Sequence, residues 1–167
     1  MVYIIGQALG VISAVCSLIL PMLKRKSHML VMTMFTNGLV ALNLVMIGQF
    51  GSAVLIHSLA VVQAIVSLRH IRRESAVSRL ETGVFLVLYI AFGLLGYKSI
   101  IDVLPMVGCV FNMLATFQKD VQKTRVLLLL NVTPFLIYYL IVGSTSALMV
   151  GSTIVTTLFA MYRDRKR

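Results

Sequence analysis

His57 is the residue of this chain best placed to do chemistry. It sits within Ser52-Ala53-Val54-Leu55-Ile56-His57-Ser58, and no charged residue occurs between Gly48 and Leu68. An imidazole in so apolar a run must pair with a neighbour or face a polar cavity, and it titrates near neutral pH. Two readings follow: a solute or proton site, or a hydrogen bond to an adjacent helix. Asn37, Asn43, Asn112 and Asn131 also lie inside apolar runs. Lipid offers an amide no partner, so interhelical bonding is the expectation for each. Gly6, Gly10 and Ser13, and later Gly143, Ala147 and Gly151, recur at three- or four-residue spacing. Such small faces predict close helix packing. Asp102 follows Lys98 by four residues and is expected to pair with it.

Elsewhere the reactive residue types are scattered. Three histidines, two cysteines and five acids form no nucleophile–base pair, phosphate loop or metal-spaced cluster. The expectation is therefore no enzyme, no cofactor and no metal. Cys16 and Cys109 stand alone in separate apolar blocks and read as buried thiols. The formal charge of +10 is carried in short clusters between apolar blocks, without interleaved aromatics, which argues against nucleic acid.

The elements that must position these residues are long apolar blocks. Hydrophobic residues make up 59% of the chain and charged ones 12%, against about 25% charged in soluble domains. Helices crossing a bilayer are predicted at 2–23, 29–48, 52–68, 82–96, 99–117, 126–142 and 145–162. The fourth is the shortest. Met1-Val2-Tyr3 lacks the basic start of a cleaved leader, so the first block is expected to stay. Seven spans place Lys24, Arg25 and Lys26, then Arg69 to Arg79, then Lys119, Lys123 and Arg125, then the basic tail on one side. That side holds fourteen of the fifteen basic residues, leaving Lys98 opposite. Cationic loops stay in the cytoplasm, so the N-terminus is expected outside and the C-terminus inside. Dropping the fourth span would put the last two clusters on the wrong side.

The chain repeats itself. Ser52 to Ser58 lines up with Ser146 to Ser152, Gly48 with Gly143, and the basic turn from Pro21 to Ser27 with that from Phe117 to Thr124. Helices one to three thus match helices five to seven. Because three is odd, a linking helix is needed to restore orientation. The expected fold is an all-α integral membrane protein of two parallel three-helix bundles plus a linker helix. It divides into 1–70, a loop and linker at 71–98, and 99–167.

This three-plus-one-plus-three plan resembles the SWEET, SemiSWEET and PQ-loop superfamily. The turns Leu20-Pro21-Met22-Leu23-Lys24-Arg25-Lys26 and Thr116-Phe117-Gln118-Lys119-Asp120 look most like the YgjV-type bacterial inner-membrane proteins. The superfamily's Pro-Gln dipeptide is divided here, with Pro21 before Met22 and Gln118 after Phe117. Sugar-carrying members pair a tryptophan with an asparagine. This chain has no tryptophan; Phe135 falls at the aromatic position, Gly151 and His57 at the two asparagine positions, and Asn43 near the other aromatic one.

The resemblance implies a bacterial inner-membrane transporter of a sugar-like or other small polar solute, working by alternating access. The implied pocket is lined by Asn43, His57, Phe135, Tyr138, Gly151 and Ser152, with Pro21, Gln118 and Pro134 as hinges. The alternative is a non-transporting receptor or assembly protein of the same fold, with a membrane-embedded enzyme third. Expected partners are the bilayer, anionic lipid headgroups at the basic face and the solute; pairing with a second copy is left open.

Overall fold

The computed structural model describes residues 2–46, 52–95, 97, 100–142 and 146–165. Of the loops expected outside, Tyr97 is among these residues, whereas Lys98, Gly143 and the side chain of Asp102 are not. The described residues form helices and no strands: α1 Val2–Ile19, α2 Lys26–Met46, α3 Ser52–Arg72, α4 Arg79–Leu95, α5 Val103–Phe117, α6 Val121–Val142 and α7 Ser146–Arg165.

Local chemistry sets the helix ends. Pro21 opens a 3-10 turn at Leu20–Met22, so α1 stops at Ile19 rather than at residue 23. A ring with no N–H suits the start of such a turn. After α3, Glu74 adopts a φ of 54°, while the Glu74 N–H bonds the Ile71 carbonyl and the Ser75 N–H bonds that of His70. This is the double bond of a Schellman cap. Ser78 and Glu81 exchange hydrogen bonds of 3.0 and 2.8 Å as a capping box opening α4. Asp120 Oδ1 accepts the Lys123 N–H at 2.8 Å and starts α6 well before residue 126.

Packing follows chain order. α2 lies between α1 and α3, α6 lies between α5 and α7, and the groups meet through α3 with α5 and through α1 and its 3-10 turn with α7. Six helices thus close a ring, while α4 packs outside it against α3 and α5. Met106 of α5 sits against Gly93 of α4, where a Cβ would come within 2.8 Å. Phe85, Tyr89, Leu59, Cys109 and Met113 form the apolar core between α4 and the ring.

The surface inverts that of a water-soluble protein. Ile4, Val11, Phe35, Val62, Val87, Leu140 and Val155 are each at least half exposed. Meanwhile Gln63, Ser67, Thr116, Thr157 and Arg125 are buried. Among the described residues, two helices are long and apolar enough to cross a bilayer, Ile4–Met22 and Val54–Arg72, with Met106–Phe117 a shorter apolar segment. α4 and α5 are short, at 17 and 15 residues, and α6 opens on the polar run Gln122-Lys123-Thr124-Arg125.

Candidate functional site

A cavity of about 260 Å³ lies inside the ring and draws its wall from all six ring helices. It is sized for a small metabolite rather than for one water molecule. From α2 it takes Thr33, Thr36, Asn37 and Val40, and from α6 Leu128, Asn131, Val132 and Phe135. Both sets follow i, i+3, i+4, i+7, the repeat of a single helix face. Ser17 and Leu20 on the α1 side and Cys109 and Asn112 on α5 share an i, i+3 spacing as well. These faces of α1, α2, α5 and α6 border the same space.

Polar groups are held in it by specific bonds. His57 Nδ1 lies 2.8 Å from Asn37 Oδ1, and Asn37 Nδ2 donates to the Thr33 carbonyl at 2.8 Å. Phe135 rests on α5 at Gly108, where a Cβ would stand 2.6 Å from its ring. Two buried oxygens, Thr36 Oγ1 and Asn131 Oδ1, have no hydrogen-bond partner among the described residues. An unmet buried polar atom costs about 1–3 kcal/mol, and both sit in the cavity wall. Among the described residues, no aspartate, glutamate, lysine or arginine lines the cavity. Among the described residues, no three His, Cys, Asp or Glu side chains gather where one metal ion could bind.

The residues expected from sequence divide. His57 and Phe135 line the cavity, and so does Pro21. Asn43 is not in the wall: its Nδ2 donates to the Gly6 carbonyl of α1, packed over Gly10. Gly151 and Ser152 lie on α7 between the lining residues Val150 and Thr153, and a Cβ at Gly151 would meet nothing within 4 Å. Tyr138 belongs to α6, but its side chain lies outside the described residues. Gln118 follows the end of α5, where its Oε1 accepts the Asp120 N–H at 3.2 Å, and Pro134 lies within α6. Ser17, Thr33, Thr36, Asn37, Asn112, Asn131 and Thr153 supply further polar groups to the wall. Their sequence signal was an amide or hydroxyl in an apolar run, which does not by itself distinguish a cavity from a helix contact.

A family model described as bacterial inner membrane protein, YgjV, matches residues 4–167. The chain belongs to this family. No curated protein and no solved structure matches it. Membership in the YgjV family makes the exposed apolar belt a lipid-facing surface of the bacterial inner membrane. The cavity of this YgjV-family chain is accordingly a largely apolar space among membrane helices, with polar groups set into its wall.

Proposed function

We propose that the protein carries a small, uncharged, hydrogen-bonding solute across the inner membrane by alternating access. The observation that supports this most is the cavity itself, with two unpartnered oxygens in a wall shared by both halves of the ring. Asn131 Oδ1 only accepts, and Thr36 Oγ1 both donates and accepts. A solute bearing O–H or N–H donors would satisfy them once the side chains that cover them shift, and the described wall, with no Asp, Glu, Lys or Arg, disfavours an ionic one. In this reading all seven helices cross the membrane, the basic turns face the cytoplasm, and the N-terminus lies outside. The two helix groups rock against each other in the manner of the SWEET and PQ-loop carriers, with α4 as the linker. A receptor that had closed its passage would fill this space with bulky apolar side chains; the wall instead holds His57, three asparagines and three threonines.

The test is flux into proteoliposomes from a panel of neutral polyols and sugars, zwitterionic amino acids and organic acids, with and without a pH gradient. Saturable uptake of a neutral solute is expected. Uptake of none, or of acids alone, contradicts the proposal.

A further inference from the structure

The two halves of the ring cap each other's first helix. The last carbonyls of an α-helix have no intrahelical donor, and partial negative charge collects there. At the end of α1 and its 3-10 turn, the Pro21 carbonyl accepts from Arg125 Nε at 2.9 Å and the Leu23 carbonyl from Arg125 Nη2 at 3.2 Å. The Met22 carbonyl accepts from Arg163 Nη2 at 3.2 Å. These donors come from α6 and α7. At the end of α5 the relation reverses. The Ala115 carbonyl accepts from Lys26 Nζ and the Thr116 carbonyl from Ser67 Oγ at 2.6 Å, while just inside the last turn the Met113 carbonyl accepts from Gln63 Nε2 at 2.9 Å. Those donors come from α2 and α3.

The cations are deeply committed to this arrangement. Arg125 is fully buried, and Lys26 retains 8% of its surface. Asp164 joins the two arginines, accepting from Arg125 Nη1 at 2.9 Å and Arg163 Nε at 3.0 Å. Lys26 also donates to Thr124 Oγ1 at 2.9 Å. Next to Lys26 lies a void of about 10 Å³, which shares Leu20, Thr33, Asn112 and Leu128 with the cavity wall.

We propose that this mutual capping is the gate at the basic end of the protein. It is shut in this conformation, and it opens when Lys26, Arg125 and Arg163 release the helix ends of the opposite half. The proposal rests on the carrier reading, but thiol accessibility tests it without any solute, so its failure is distinguishable from failure of transport.

The experiment uses full-length protein with Cys16→Ser, Cys109→Ser and Thr36→Cys, in membrane vesicles of both orientations. A membrane-impermeant thiol reagent is applied from the side of the basic turns. Lys26→Gln loosens one half of the gate and Arg163→Gln the other, and Arg163, being partly exposed, tolerates replacement. Either variant is expected to raise the labelling rate of the Thr36→Cys thiol at least tenfold. Rates within twofold of the parent, in whichever of the two variants folds, overturn the proposal.

Discussion

His57 Nδ1 on α3 and Asn37 Oδ1 on α2 stand 2.8 Å apart, and the asparagine is fixed from behind by its bond to the Thr33 carbonyl. That second bond assigns the amide: Nδ2 donates to Thr33, so the oxygen faces the histidine. Nδ1 is then the protonated nitrogen, and Nε2 is the acceptor the neutral ring offers. His57→Phe keeps most of the bulk and loses this pair. One hydrogen bond is worth about 1–1.5 kcal/mol, so solute affinity should fall about tenfold. Asn37→Leu should act alike by freeing the ring. Unchanged binding in both, measured by calorimetry or uptake, would remove His57 from the site.

Thr36 and Asn131 allow stability and function to be separated. An unpartnered buried oxygen weakens the empty protein. Thr36→Val should therefore raise the Tm in detergent by ~2–4 °C while lowering uptake at least tenfold. A fall in Tm would mean that the hydroxyl serves the fold.

Gly108 admits Phe135 to the cavity wall. Alanine there would bring Cβ to 2.6 Å from the ring and 3.0 Å from the Asn131 carbonyl. Displacing α6 and the ring should cost about 1–3 kcal/mol. The double variant Gly108→Ala with Phe135→Leu should recover much of that loss in thermal unfolding, because the two residues share one space. Simple additivity would show that they do not.

Acid should loosen the basic end. Hydrogen bonds from Arg125, and then from Arg163, hold the Asp164 carboxyl below its ordinary range, which lies near ~3.9. A carboxyl with a lowered folded-state pKa contributes stability that is complete above the ordinary value and is lost as pH falls through the lowered one. Tm should be flat above about pH 5 and fall below about pH 4. Asp164→Asn should start lower on the plateau and show a shallower acid limb. Identical limbs would place the acid sensitivity elsewhere.

The helices could be read from the sequence because oil demands long apolar runs and because cationic turns punctuate them. His57 stood out because an imidazole in such a run needs a partner, and Asn37 is the partner it has. Asn43 illustrates the limit. It shares α2 with Thr36 and Asn37, yet Gly10 leaves room for its amide to reach the Gly6 carbonyl. Which way a polar side chain turns depends on a glycine on another helix. Lys26 and Arg125 looked like ordinary members of basic clusters, since charge counting marks a side of the membrane and not a partner. Each is the member of its cluster closest to the following apolar block, which carries it into the ring.

Accessibility of position 57 from the two faces of the membrane tests the carrier account most directly. With His57→Cys as the single cysteine, impermeant thiol reagents should reach it from each side in turn. Adding a transported solute should slow the reaction. Protection from both sides at all times, in folded protein, would contradict alternating access to this cavity.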